Sequence, residues 1–210
     1  MFPRTLSHHA QNTLALLGRQ NFLKTTYLAG GSSLALQFGH RRSIDFDFFS
    51  ESEFESKSVN ANLKKIGTYK EENETPKTMV GLFNRTKFSL FHYPYSLIVP
   101  TIPYLGISLA GPEDIAAMKL VAIIDRGTKK DYIDLFMLSH KKFSIEEMFQ
   151  LYDRKYHLLN ANLFTLIKSL QYFETADTAD MPKMIEKIDW EEIKNFFREE
   201  VVKLADKYLK

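Results

Sequence analysis

Two aspartates separated by one residue, Asp45 and Asp47, are the clearest candidates for chemistry in this chain. They lie within residues 43–49, where polar and apolar residues alternate with a period of two, a pattern typical of a β-strand. Side chains two residues apart on a strand project from the same face. The two carboxylates would then lie about 7 Å apart and repel each other by about 2 kcal/mol at an effective dielectric constant near 20. A cation or a basic partner between them would relieve that repulsion.

Mg²⁺ and Mn²⁺ are the cations that suit this pair. Both prefer oxygen ligands, and Mg²⁺ commonly uses one or two protein carboxylates together with phosphate oxygens and water. An isolated Asp-x-Asp is more often found on a solvated edge strand, so the neighbouring residues decide between the two interpretations.

The segment Gly30-Gly31-Ser32-Ser33, a short distance upstream, supplies that context. Glycines allow a backbone to approach phosphate closely, and the N-terminus of a helix presents free N–H groups and a positive dipole to an anion. The two serine hydroxyls are available to add hydrogen bonds. A phosphate cradle followed by paired acids predicts a site for a nucleoside triphosphate (NTP) and a metal ion.

The elements around the cradle follow from local patterns. A short buried strand is predicted over residues 26–29. Ser32 or Ser33 is expected to cap a helix over residues 34–38, because serine side chains accept hydrogen bonds from the first helical N–H groups.

The acid-bearing strand over residues 43–49 is expected to direct Ile44, Phe46 and Phe48 into the core, opposite the two aspartates. Further elements up to residue 110 are a helix over residues 59–66 and paired strands over residues 79–83 and 87–93.

From Pro112 onward the pattern is helical. We therefore predict an α+β protein in which residues 1–110 form an α/β core with a small mixed sheet and flanking helices, and residues 111–210 form a helical half that completes the nucleotide cleft. Helices are predicted to start at Pro112, near Lys130, after Ser144, over residues 163–172 and after Asp189.

Composition limits the environment of the protein. The chain has 210 residues, 44% of them hydrophobic, and a formal net charge of +2, so any basic surface must be local. It has no cysteine, which excludes disulfides and thiolate metal sites. No apolar stretch is long enough to span a bilayer. We expect a soluble, cytoplasmic protein with no membrane association.

The cradle and the acid pair together resemble the first motif of the AbiEii-type nucleotidyltransferases. These are toxins of bacterial toxin–antitoxin systems, within the polymerase β-like nucleotidyltransferase superfamily. The matching residues are Gly30-Gly31-Ser32-Ser33-Leu34-Ala35-Leu36 and His40-Arg41-Arg42-Ser43-Ile44-Asp45-Phe46-Asp47-Phe48-Phe49. A second block, Glu113-Asp114-Ile115-Ala116-Ala117-Met118-Lys119-Leu120 with Arg126, Lys130-Asp131 and Asp134-Leu135, resembles the downstream motifs.

The resemblance implies a polymerase β-like fold and a metal-dependent nucleotidyltransferase. Gly31 and Ser32 match the pair that grips the nucleotide phosphates, and Asp45 and Asp47 match the metal-binding pair. The acceptor implied is a hydroxyl, at the 3′ end of tRNA. A separately encoded antitoxin is implied as a partner.

In the second block, the resemblance implies that Lys119 lies near the triphosphate and that Asp131 acts as a base or as a structural partner. The residues themselves leave this open. Lys119 sits in an apolar helix, where a lysine more often extends to the surface. Arg126 and Asp131 are also placed to form a salt bridge across the turn at Gly127.

One feature departs from the superfamily pattern. Many polymerase β-like enzymes carry a third carboxylate on a neighbouring strand, and residues 87–92 contain no Asp or Glu. The missing acid implies either a single-metal or altered site, with Asp131 substituting, or a degenerate site. Two alternatives to RNA modification remain open. One is a degenerate module that binds nucleotide or RNA without turnover. The other is a transferase acting on a small molecule or a protein.

Overall fold

The computed structural model describes residues 1–209, and the chain divides into two compact units, residues 1–111 and 112–210. Residues 1–111 form a mixed sheet of seven strands in the order β3-β4-β5-β2-β1-β7-β6. The pairs β2–β5 and β1–β7 are parallel, and the remaining pairs are antiparallel. The strands are β1 (Thr26–Leu28), β2 (Phe46–Ser50), β3 (Tyr69–Thr75), β4 (Thr78–Phe83), β5 (Thr86–His92), β6 (Ile102–Tyr104) and β7 (Ile107–Leu109).

Three helices of this unit pack on one face of the sheet. They are α1 (His8–Gly18), α2 (Gly30–Phe38) and α3 (Ser56–Ile66). We call the side bearing Phe46 and Phe48 the covered face, because both side chains join the hydrophobic core formed with these helices. We call the opposite side of the same strands, which bears Asp47 and Phe49, the acid face.

Strand β2 is shorter than its sequence pattern predicts. Its residues alternate between buried and half-buried, as expected for a strand with one core face. It begins at Phe46, however, and the prediction that Ile44 faces the core is wrong, because 64% of that residue is exposed. Asp45 therefore lies immediately before the strand and Asp47 lies within it.

Strands β3, β4 and β5 form an antiparallel meander that extends the sheet beyond β2. The turn between β4 and β5 contains Asn84 and Arg85, both with positive φ (46° and 63°), as a two-residue hairpin turn requires. Sequence patterns did not predict β3, because most of its residues are charged or polar and exposed.

Residues 112–209 are helical. The turns just before residues 129 and 145 are each closed by a capping box, in which Thr128 pairs with Asp131 and Ser144 pairs with Glu147. The sequence predicted the helix that starts after Ser144, and the capping box agrees with that start. No helix described in residues 1–209 is both long and apolar enough to cross a bilayer. The helices are α4 (Pro112–Asp125), α5 (Lys129–Lys141), α6 (Ile145–Tyr156), α7 (Leu159–Ser169), α8 (Glu174–Asp177) and α9 (Trp190–Tyr208).

Gly18 offers a direct test of how α1 meets the sheet. A Cβ atom added to Gly18 would lie 2.0 Å from the carbonyl oxygen of Leu105, in the turn between β6 and β7. We predict that Gly18→Ala lowers the free energy of unfolding by about 1–3 kcal/mol, because the backbone must shift. Urea unfolding measures the change. Helix propensity alone would raise stability by up to about 1 kcal/mol, so a more stable variant would contradict the close approach.

Candidate active site

Helix α2 begins earlier than the sequence patterns predict. Its first residue is Gly30, with φ of 64°, and Ala29 occupies the N-cap position without a capping side chain. The prediction that Ser32 or Ser33 caps this helix is wrong, because both serines lie inside its first turn. The first N–H groups of a helix have no partner within the helix. This N-terminus is therefore suited to an anion.

The N-terminus of α2 lies directly beside the acid pair. The N–H of Ala29 donates a hydrogen bond to the carbonyl oxygen of Asp47 at 3.0 Å. A Cβ atom added to Gly30 would lie 3.5 Å from Oδ2 of Asp47. A phosphate held by the helix and a cation held by the carboxylate would thus be neighbours.

The two serine hydroxyls have partners within the protein. Ser32 Oγ lies 2.9 Å from Ser43 Oγ and within hydrogen-bond distance of the carbonyl oxygen of Asp45. Ser33 Oγ contacts the carbonyl oxygen of Ala110 at 3.2 Å. Both serines are buried. The arrangement leaves the backbone N–H groups, rather than the hydroxyls, to face a phosphate, and it makes Ser32 an anchor for the backbone at Asp45.

The acid pair fits a divalent cation that completes its ligands from a bound substrate. Asp45 and Asp47 are both half-buried, so solvent and ligands reach them. Among the described residues, no group of three or more His, Cys, Asp or Glu side chains is placed to hold a metal. Two carboxylates are nevertheless enough for Mg²⁺, which usually keeps water and phosphate oxygens as its other ligands.

Strand β5 is the parallel neighbour of β2 beside the acid pair. Its register places Ser89 opposite Asp47. In parallel strands, residues in register share a face, so Ser89 stands next to Asp47 on the acid face. The strand expected to carry a third carboxylate thus carries a buried serine at this level.

In residues 112–209, Lys119 is buried in a charged cluster. Only 5% of the residue is exposed, so the interpretation from the residues alone, that it extends to the surface, is wrong. Its Nζ lies 2.9 Å from Asp131 Oδ1 and 2.6 Å from Asp134 Oδ2. Asp131 and Asp134 are three residues apart on α5 and share one side of that helix. From the sequence, no role was assigned to Asp134. Its spacing of three residues from Asp131 nevertheless indicated that both side chains lie on the same side of α5.

Asp131 is surrounded by hydrogen-bond donors. Arg126 contacts both of its carboxylate oxygens, at 3.0 and 3.2 Å, and Thr128 Oγ1 donates at 2.6 Å. Burial by itself raises the pKa of Asp131, but Lys119, Arg126 and Thr128 together hold that pKa well below its usual value. A carboxylate in this state is a weak base. The geometry therefore favours the structural role of Asp131, which fixes Lys119 and the turn between α4 and α5.

We predict that Asp131→Asn lowers the free energy of unfolding by about 3 kcal/mol, because it leaves buried cationic groups without their partner. The folded-state pKa is below the unfolded value of about 3.9, so the stabilisation is present above that value and is lost as the pH falls below it. The variant should consequently show a flatter pH dependence than the wild type between about pH 5 and pH 2. Denaturant unfolding across that range measures both effects.

The control for this prediction is Asp125→Asn, since Asp125 is exposed at the end of α4. It should change stability by less than about 0.5 kcal/mol. Equal effects of the two substitutions would contradict the assigned role of Asp131.

The chain has relatives in sequence and in structure. It is 39% identical over 182 residues to an uncharacterized protein of Aquifex aeolicus (strain VF5), covering 83% of this chain and 85% of that protein. The solved structures that resemble it include JHP933 from Helicobacter pylori and MenT4, a nucleotidyltransferase toxin from Mycobacterium tuberculosis H37Rv. The first has 16% identity, a TM-score of 0.54 and coverage of 96% of this chain and 94% of that chain. The second has 13% identity, a TM-score of 0.58 and coverage of 95% and 86%.

At these identities the two structures show the fold alone, and they confirm the predicted nucleotidyltransferase architecture. The family model described as "Nucleotidyl transferase AbiEii toxin, Type IV TA system" matches residues 14–108 and 92–208. The matches cover most of the chain and include both blocks of the resemblance. The chain therefore belongs to the AbiEii family of nucleotidyl transferase toxins and is a nucleotidyltransferase.

Proposed function

We propose that this nucleotidyltransferase moves a nucleoside monophosphate from an NTP to a hydroxyl of RNA, at the 3′ end of tRNA. The observation that carries the proposal is the contact between the N-terminus of α2 and Asp47. The NTP phosphates would lie against the backbone N–H groups of Gly30 and Gly31, and the acid pair would hold Mg²⁺ or Mn²⁺ beside them.

The reaction is an in-line displacement at the α-phosphorus. The acceptor oxygen forms a new bond to phosphorus, the bond to the β-phosphate oxygen breaks, pyrophosphate leaves and the hydroxyl proton is released to solvent. A metal ion bound to Asp45 and Asp47 would supply positive charge that offsets the charge of the triphosphate. The two aspartates orient that charge, and the helix N-terminus orients the phosphates.

We propose that Lys119 contributes a cation that interacts with the triphosphate. Asp131 and Asp134, which lie within 3 Å of its ammonium group, fix the direction in which that group points. This assignment makes Lys119 a binding and catalytic residue, whereas Asp131 positions it.

The biological setting is also part of the proposal. The matched family is described as toxins of a type IV toxin–antitoxin system, which supports a separately encoded antitoxin. An enzyme that modifies tRNA would work in the cytoplasm. Transfer to a protein or to a small molecule is the competing proposal, because the catalytic groups would be the same and only the acceptor would differ.

The first experiment measures transfer of label from each α-labelled NTP onto total tRNA in the presence of Mg²⁺. We predict transfer by the wild type and a loss of at least about 100-fold in Asp45→Asn/Asp47→Asn, because the charge that offsets the triphosphate is gone. EDTA should stop the reaction, and added Mg²⁺ or Mn²⁺ should restore it.

Glu53→Gln is the matched control, since Glu53 is an exposed acid just beyond β2. It should keep wild-type activity. Labelling of protein or of small molecules with none on RNA would move the proposal to another acceptor. NTP binding without any transfer would indicate a degenerate site.

A second experiment asks whether Ser32 grips phosphate or anchors the backbone at Asp45. We predict that Ser32→Ala lowers kcat about tenfold and leaves KM for NTP within about twofold, because its hydroxyl contacts the carbonyl of Asp45. Steady-state kinetics at varied NTP measure both constants. A large rise in KM with unchanged kcat would instead indicate direct phosphate binding.

A further inference from the structure

The acid face of the meander β3–β5 continues the surface on which Asp47 lies. The strand registers define which side chains share this face. They fall into three rows running across the strands. The rows are Lys70, Leu82 and Lys87; Asn73, Val80, Ser89 and Asp47; and Thr75, Thr78, Phe91 and Phe49. A row of lysines therefore lies on one side of the row that contains Asp47, and a row with aromatic rings lies on the other.

Two acids and two lysines of the meander lie on opposite faces of the sheet, while Glu72 falls at a register irregularity of β3 and has no partner in the register. Glu71 and Glu74 pair with Gly81 and Met79, which place them on the covered face. The side chain of Asn60 on α3 donates a hydrogen bond to Glu71 at 2.6 Å, consistent with that placement. Lys70 and Lys87 point the other way and are both exposed.

Phe91 provides an aromatic surface on the same face. It is half-buried, and its ring centroid lies 5.3 Å from that of Phe49 on the adjacent strand. Successive residues on one face of a strand are about 7 Å apart along the strand. The ring of Phe91 is therefore one such step from Ser89, which lies opposite Asp47.

The order of the strands indicates which substrate uses this surface. Strand β2 has two neighbours: β1, which is followed by α2 in the chain, and β5, which is the last strand of the meander. Under the proposed function, the triphosphate lies on the side of α2. In an in-line displacement the attacking and leaving oxygens lie on opposite sides of the phosphorus. An acceptor would then approach from the side of β5.

We propose that the acid face of the meander binds the single-stranded 3′ end of the RNA acceptor, with Lys70 and Lys87 contacting phosphates and Phe91 stacking on a base. The inference rests on the proposed function. Two exposed lysines and a half-buried aromatic ring on the same sheet face match the charge and the flat bases of single-stranded RNA. A protein acceptor would have no such need for paired cations beside a ring.

The test compares Lys70→Ala/Lys87→Ala with Lys64→Ala/Lys65→Ala. The second pair removes the same charge from exposed positions on α3, the helix that packs on the covered face, on the opposite side of the sheet from the acid face. Steady-state transfer onto tRNA gives KM for tRNA and KM for NTP separately. Anisotropy of a short 5′-fluorescein-labelled single-stranded RNA with a free 3′-hydroxyl gives binding as a function of salt.

The meander variant should raise KM for tRNA about tenfold and leave KM for NTP unchanged. It should also reduce the steepness of log Kd against log salt by about 1.4, the value for two lost phosphate contacts on a single strand. Phe91→Leu should weaken RNA binding about tenfold at all salt concentrations, and Phe91→Tyr should restore it, because only the tyrosine keeps the stacking surface.

Equal effects of the two lysine pairs, or no effect of either, would overturn the assignment of this surface while the proposed function stands. Transfer by the wild type onto protein or small molecules, with none onto RNA, would overturn both. The acceptor that the wild type labels therefore distinguishes failure of the proposed RNA-binding surface from failure of the proposed function.

Discussion

The pairing of β1 with β2 ends at the hydrogen bond from Ala29 N–H to the carbonyl oxygen of Asp47, and the arrangement of the candidate site in residues 1–111 depends on it. Because the chain turns into α2 at the next residue, the helix N-terminus is fixed next to a carboxylate. A helix N-terminus attracts anions, and a pair of carboxylates attracts cations. A metal–triphosphate complex carries both kinds of charge, so it satisfies both groups at once.

The first turn of α2 shows how the same residues meet structural and chemical demands. Gly30 takes a positive φ, which lets the chain leave β1 and enter the helix without a capping side chain. Ser32 uses its hydroxyl to hold the backbone before β2. The backbone N–H groups are left for a ligand, and the side chains keep the acid-bearing segment in place.

Residues 112–209 solve a different electrostatic problem. Lys119 is buried, and a buried ammonium is stable only with close anionic partners. Asp131 and Asp134 supply them, while Arg126 and Thr128 keep Asp131 ionised. A second buried pair, Lys155 with Asp114 at 2.7 Å, joins α6 to α4, the helix that carries Lys119. Ion pairs near the start of α4, at Asp114, and just after its end, at Arg126, therefore fix the helix that carries Lys119.

Much of the fold and of the candidate site could be predicted from short-range patterns. Alternation located β2, and capping residues located α6, because both signals depend on neighbours in sequence. The start of α2 was missed, since it depends on the backbone conformation of Gly30 rather than on a capping side chain. Strand β3 was missed because it is a polar edge strand stabilised by its pairing with β4. The burial of Lys119 depends on partners that lie on another helix.

We propose that metal and nucleotide share one site at Asp45, Asp47 and the start of α2. Titration of Mn²⁺, followed by electron paramagnetic resonance with and without an NTP analogue that resists cleavage between the α- and β-phosphates, tests it without catalysis. If the analogue raises the affinity for Mn²⁺, thermodynamic linkage requires Mn²⁺ to raise the affinity for the analogue by the same factor. We predict tighter Mn²⁺ binding when the analogue is present, with the coupling lost in Asp45→Asn/Asp47→Asn. The shared site would be contradicted if the analogue did not change the affinity for Mn²⁺, or if the double variant bound Mn²⁺ as tightly as the wild type.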